Sequence, residues 1–215
     1  MTQKNKKILF ATKNPGKLFE FQKAFKKLQN SYVVISYNEL SYEIPDCEET
    51  GTSFEENARL KIQNARRHLK KEDKDIIIVA DDSGMEIGYL GGEPGVFTRR
   101  WNGREMTDDE IINYCLDKME GADDRSAAYV TCFVVSIPSH EDSVIFGKNE
   151  GVVLEKPRKN SKLSGMPFRS LLFVPELNMM FHETRDLKPS ERKGYLVGHE
   201  EAISKVVDCI TSKVA

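Results

Sequence analysis

An excess of acidic or of basic residues is missing from this sequence: 32 Lys and Arg stand against 34 Asp and Glu, a formal net charge of −2. Without a global basic field, a nucleic-acid polymer is not the expected partner. Long apolar runs are missing as well. No stretch approaches the roughly 20 residues needed to cross a bilayer, so no membrane partner is expected. The N-terminal MTQKNKKILFAT has no long apolar segment behind its lysines and does not read as a secretion signal. Cysteine is scarce: Cys47, Cys115, Cys132 and Cys209 are scattered, with no CxxC. They read as reduced thiols of a cytoplasmic protein. The histidines, His68, His140, His182 and His199, are not paired at metal-ligand spacing, which argues against zinc. There is no internal repeat, low-complexity tract or linker, and the Walker spacing GxxxxGK[ST] is absent.

What is present is organised around Ile76–Gly84, IIIVADDSG. Its apolar first half reads as a fully buried strand of an α/β sheet. Asp81 and Asp82 are expected where that strand runs out, the place where such sheets present ligands. Adjacent strand residues point to opposite faces, so the two carboxylates have different roles. One is expected at a cleft, the other capping backbone or facing water. Gly84 is expected to permit a turn.

Before it, Lys7–Thr12 reads as a first strand. Leu18, Phe21, Phe25 and Leu28 follow at helical spacing. Asn14 suits an N-cap and Pro15 the first helical position. Such a junction offers backbone N–H groups and a helix dipole to an anion. Lys13 and Lys17 oppose that dipole unless an anion lies between them. Val33–Tyr37 reads as a second strand. An acidic stretch with Asp46, Glu48 and Glu49 then precedes a helix start with capping-box spacing, Thr52 with Glu55 or Ser53 with Glu56. Phe54, Ala58, Ile62, Ala65 and Leu69 are the apolar stripe of that helix. Carboxylates there suit Mg²⁺, which commonly takes one or two from the protein and the rest of its shell from substrate phosphates and water.

Beyond the Asp pair, Gly91-Gly92-Glu93-Pro94-Gly95 marks a tight loop. Arg99 and Arg100 after it suit either phosphate contact or structural ion pairs, and Trp101 reads as packing. Thr107 and Glu110 form a second capping box, before a helix burying Ile111, Ile112, Cys115, Leu116 and Met119. Ala127–Ile137 and Ser143–Gly147 read as a long hairpin, Gly151–Leu154 as a further strand, and Phe173–Pro175 as a short extended run. The last helix carries Ala202, Ile203, Val206, Val207 and Ile210 on one face. A hairpin among βα units implies a mixed sheet.

Four stretches together resemble the inosine triphosphate pyrophosphatase family, which hydrolyses non-standard purine nucleoside triphosphates. They are Thr12–Lys17 (TKNPGK), Glu48–Ala58 (EETGTSFEENA), Ala80–Met85 (ADDSGM) and Leu90–Val96 (LGGEPGV). The resemblance covers most of the chain. It implies residues 1–215 as a single pyrophosphatase domain, α/β and elongated, with two lobes. A central mixed sheet would be flanked by helices, with the active-site cleft between the lobes. It also implies Mg²⁺ dependence and a homodimer. By motif, Glu48 and Asp82 correspond to metal ligands, and Asp82 also to the residue that activates water. Thr12, Lys13, Asn14, Lys17, Ser83, Phe168, Lys193 and His199 correspond to substrate contacts.

The departures lie at the base-reading end. Where the family has GFGYDP, this chain has Gly165-Met166-Pro167-Phe168-Arg169-Ser170, with Arg169 at the acidic position. The family's SHR aligns without a gap to Val197-Gly198-His199. Matching its histidine to His199 takes a shift of one residue, and Glu200 then replaces its arginine. A site loses discrimination when its hydrogen-bonding partners are changed. The expected activity is therefore Mg²⁺-dependent conversion of ITP, dITP or XTP to monophosphate and pyrophosphate. The alternatives are the same chemistry on another nucleotide, or nucleotide binding without turnover.

Overall fold

The computed structural model describes residues 5–28, 31–158, 166–192, 194–195 and 197–214. In chain order its regular elements are β1 (Lys6–Phe10), α1 (Pro15–Phe25), β2 (Tyr32–Ile35), α2 (Phe54–His68), β3 (Ile77–Ile87), β4 (Pro94–Gly95), α3 (Asp108–Lys118), β5 (Ser126–Ser136), β6 (Ser143–Val153), β7 (Leu172–Val174), β8 (Met179–Met180) and α4 (Gly198–Val214). The strands form an eight-stranded sheet of order β2-β1-β3-β5-β6-β7-β8, with β4 also paired to β3. β1 is parallel to β2 and β3, while β4 runs antiparallel to β3 and β7 to both β6 and β8. The sheet is thus mixed and flanked by helices, as expected. Among the described residues no helix is long and apolar enough to cross a membrane.

The chain separates into two compact units, Met1–Asp82 with Thr131–Phe146 and Glu200–Ala215, and Ser83–Val130 with Gly147–His199. In the first unit, Ile8 and Phe10 of β1, Ile77 and Val79 of β3 and Phe133 and Val135 of β5 form one sheet face. Phe21 and Phe25 of α1 and Ala202, Ile203, Val206 and Ile210 of α4 pack against it. Phe10 stacks on Phe21 with centroids 4.4 Å apart. Ile78 and Ala80 point the opposite way and are fully buried. On α2 the stripe Phe54, Ala58, Ile62 and Ala65 is buried as its spacing foretold. Each large side chain so buried contributes about 1.5–3 kcal/mol.

The second unit has its own core, in which Met85, Ile87, Ile111, Cys115, Met119, Phe168, Leu171 and Leu172 meet. Gly91 and Gly92 take φ of +63° and +95°, so the loop between β3 and β4 needs glycine there. Arg99 pairs with Asp108 at 2.6 Å. Trp101 packs edge-on against Tyr114, with centroids 5.3 Å apart.

Two expectations about strands are corrected. The strand bearing Asp81 and Asp82 does not run out at them. β3 continues through Ser83 and Gly84 to Ile87, because Met85 and Glu86 find backbone partners in Gly95 and Pro94. Gly84 therefore lies within the strand, not in a turn. Gly151–Val153 is likewise no separate strand but the end of β6, where Val152 and Val153 pair with Phe173 and Leu172.

Candidate active site

Strand alternation decides what the two carboxylates meet. Asp81 continues the face of Ile77 and Val79, towards α1, and its Oδ2 lies 2.6 Å from the Lys17 ammonium. Asp82 continues the face of Ile78 and Ala80, towards α2. Its Oδ2 accepts a hydrogen bond from Asn57 Nδ2 at 2.9 Å, and its Oδ1 is 3.7 Å from Lys61 Nζ. Both aspartates are buried, so of the alternatives expected for one of them, capping backbone or facing water, the second does not apply. Lys61 also donates to the Asp81 carbonyl at 2.9 Å and pairs with Glu49 at 3.0 Å. Cations and carboxylates thus alternate around this part of β3. Burial raises the Asp82 carboxyl above its ordinary pKa, against the opposing pull of Lys61 and Asn57, while Glu49 pushes the same way as burial.

The loop before α1 folds as its sequence indicates, with Asn14 as cap and Pro15 at the first position. The offer of backbone N–H groups to an anion is corrected. Asn14 Oδ1 accepts from the N–H groups of Gly16 and Lys17 at 2.9 and 3.2 Å, and Thr12 Oγ1 accepts from Asn14 N–H at 3.1 Å. A capping side chain competes with an anion for the same donors, so the cationic side chains remain as the loop's contribution. Lys13 pairs with the exposed Asp46 at 2.5 Å, a contact water readily replaces.

Among the acids ahead of α2, Glu48 is exposed. Glu49 is the one that reaches Lys61. Ser53 caps α2, accepting from Glu56 N–H at 3.2 Å. Among the described residues no group of three or more His, Cys, Asp and Glu side chains is placed to hold a metal. The donors present are hard oxygens, and one or two carboxylates are what Mg²⁺ takes from a protein when phosphates supply the rest. Residues and ion fit on those terms.

The remaining candidates belong to the second unit. Ser83 Oγ shares a 2.9 Å hydrogen bond with Tyr129 OH. Phe168 is buried, with its ring edge-on to Trp101. His199 is buried at the start of α4, where its backbone N–H donates to Asn149 Oδ1 at 3.0 Å. Lys193 lies outside the described residues. A Cβ on Gly198, just before His199, would fall 2.2 Å from the Lys148 carbonyl oxygen. Position 198 therefore takes no larger side chain without a shift of β6.

Asn57 and Lys61 were not picked out from the sequence. The available signal was their spacing of four, which places two polar side chains on one helix edge beside the stripe of Phe54, Ala58 and Ile62.

Comparison with known proteins gives the family. The Ham1 family model matches residues 8–192. A protein of Staphylococcus epidermidis named dITP/XTP pyrophosphatase is 38% identical over 183 residues, covering 84% of this chain and 87% of that protein. Its namesake in Clostridium perfringens is 31% identical over 206 residues, covering 94% and 96%. The Ham1 protein of Staphylococcus aureus superposes with a TM-score of 0.74 at 28% identity, over 98% of this chain and 100% of that one. A HAM1 protein of Coxiella burnetii gives 0.75 at 28%, over 97% and 99%. With its motifs in family order, its fold shared and its length covered, this chain belongs to the Ham1 family, the inosine triphosphate pyrophosphatases that its motifs resemble.

Proposed function

We infer that this protein hydrolyses non-standard purine nucleoside triphosphates, ITP, dITP or XTP, to the monophosphate and pyrophosphate, with Mg²⁺ as cofactor. One observation carries the reading. Two adjacent residues of one strand present carboxylates to opposite faces, and each is met by a helix-borne lysine, Lys17 for Asp81 and Lys61 for Asp82. Such a set of fixed charges suits a polyphosphate and its counter-ion. The names of the relatives support the same substrate class.

In the reaction the anhydride between the α and β phosphates breaks, water supplies the oxygen of the new P–O bond, and a proton is released. Lys17 and Lys61, with Lys13 nearer the surface, bind the phosphates and offset the charge that gathers on them. Asp82 orients the water and takes its proton, a role that a raised carboxyl pKa favours. Asp81 holds Lys17 in place. Asp82 together with Glu48 would hold Mg²⁺, which when bound neutralises charge on the phosphates. Thr12, Asn14, Ser83, Phe168, Lys193 and His199 complete the set assigned to the substrate. The protein acts as a cytoplasmic homodimer. The scatter of its four cysteines, with no CxxC pair, supports the compartment.

A second reading keeps the chemistry and changes the base. It is favoured by Arg169 at the position of an acid and by the absence of the family's SHR arginine in Val197-Gly198-His199-Glu200. A panel of triphosphates assayed for pyrophosphate release with Mg²⁺ separates the readings. Turnover of ITP, dITP or XTP supports the first, and turnover confined to another nucleotide supports the second. Binding without release from any nucleotide refutes catalysis.

A further inference from the structure

Asn57 makes two hydrogen bonds in opposite directions. Its Oδ1 accepts from Gly51 N–H at 2.8 Å, and its Nδ2 donates to Asp82 Oδ2 at 2.9 Å. The residue is 1% exposed, so water does not substitute for either bond. The amide has only one sensible orientation. Turned over, it would set NH₂ against the Gly51 N–H and a carbonyl oxygen against the carboxylate. Gly51 is fitted closely to it: a Cβ there would fall 2.7 Å from Asn57 Oδ1 and 2.7 Å from Glu56 Cβ. One side chain therefore joins the turn that follows Glu48 and Glu49 to the carboxylate on β3.

We infer that Asn57 is a positioning residue for the hydrolysis proposed above. It ties down Asp82 Oδ2, leaves Oδ1 as the oxygen that faces Lys61, and fixes the Glu48–Glu49 turn relative to it. The inference rests on that functional reading. A carboxylate held by one oxygen has one orientation for water and cation. Without the amide it loses the bond that fixes Oδ2, about a terminal torsion that is broad and two-fold. The turn bearing Glu48 and Glu49 loses its anchor in the same event. Partners that orient liganding groups in this way are worth about 10–100-fold in activity or metal affinity.

Asn57→Asp is the discriminating variant, since it keeps size and the acceptor for Gly51 N–H but replaces the donor facing Asp82. Two readouts are taken beside the melting temperature: steady-state turnover, and calorimetric binding of a non-hydrolysable triphosphate analogue with and without Mg²⁺. Turnover should fall by about 10–100-fold, and the gain in analogue affinity on adding Mg²⁺ should shrink, while metal-free binding stays within about threefold. A folded variant with parental turnover and a parental Mg²⁺ gain overturns the inference. If two buried carboxylates prevent folding, Asn57→Ala removes the side-chain donor and acceptor without adding charge, and the same two outcomes decide. A parent protein that turns over no nucleotide refutes the function instead. The Mg²⁺ gain in analogue binding then still reads on Asn57, and its persistence in the variant rejects the positioning role.

Discussion

Lys17→Met should be the most informative single change in the first unit, because the lysine's partner is buried far more deeply than the lysine. The Asp81 side chain is 3% exposed and that of Lys17 21%, with 2.6 Å between the charged atoms. Removing the cation strands a carboxylate that cannot be rehydrated in place. Breaking a buried pair costs about 3–5 kcal/mol. Since water reaches the lysine end, the low end applies, about 3 kcal/mol. For a chain of this length that is a fall in melting temperature of about 6–12 °C. Asp81→Asn should cost less, because an amide needs no counter-ion. The double variant Lys17→Met with Asp81→Asn should regain most of the loss, giving a coupling of about 2 kcal/mol or more, against 0.2–1 kcal/mol for an exposed pair. Thermal melts followed by circular dichroism of the four proteins complete the cycle. Turnover should not return with stability in the double variant, because the phosphate contact is still missing. A Lys17→Met protein melting within about 2 °C of the parent refutes the account of Asp81 as an anchor.

Three other expectations follow from particular contacts. Gly198→Ala places a Cβ 2.2 Å from the Lys148 carbonyl oxygen and should cost about 1–3 kcal/mol, read as a melting temperature lower by several degrees. An unchanged melt shows that β6 yields there. Glu48→Gln should leave stability within about 0.5 kcal/mol and lower Mg²⁺-dependent turnover at least about tenfold. Full turnover in that variant, alongside loss in Glu49→Gln, moves the metal contact to Glu49. The Glu110 carboxyl is held down to about 2 by Arg104 and by the N–H and hydroxyl of Thr107. A depressed folded pKa gives stability that is present above the ordinary value of 4.5 and lost as pH falls towards 2. Stability curves of parent and Glu110→Gln should therefore converge near pH 2 and separate above pH 4.5, and parallel curves contradict this.

Local signals carried most of the first unit. The cap at Asn14, the stripe on α2 and the apolar face of α4 each depend on neighbours within a turn or two, and each appears as the sequence reads. The continuation of β3 through Asp81–Gly84 was not legible, because DDSG has the composition of a turn and its extension depends on the sheet neighbours β4 and β5. In the site, the types of residue were legible and their partners were not. Adjacent aspartates implied opposite faces, but whether a face held water, Lys17 or Asn57 depended on which helix covered it. The occupation of the loop N–H groups by Asn14 followed from the same cap that suggested an anion site, since one set of donors serves either purpose.

The account is tested most directly by measuring pyrophosphate released from dITP and XTP, with Mg²⁺ supplied, by the parent protein and by Asp82→Asn. The parent should release one pyrophosphate for each monophosphate formed. Asp82→Asn, folded and melting as a single transition, should be slower by about 10²–10⁴-fold. Equal rates in the two proteins, or release of orthophosphate in place of pyrophosphate, would contradict it.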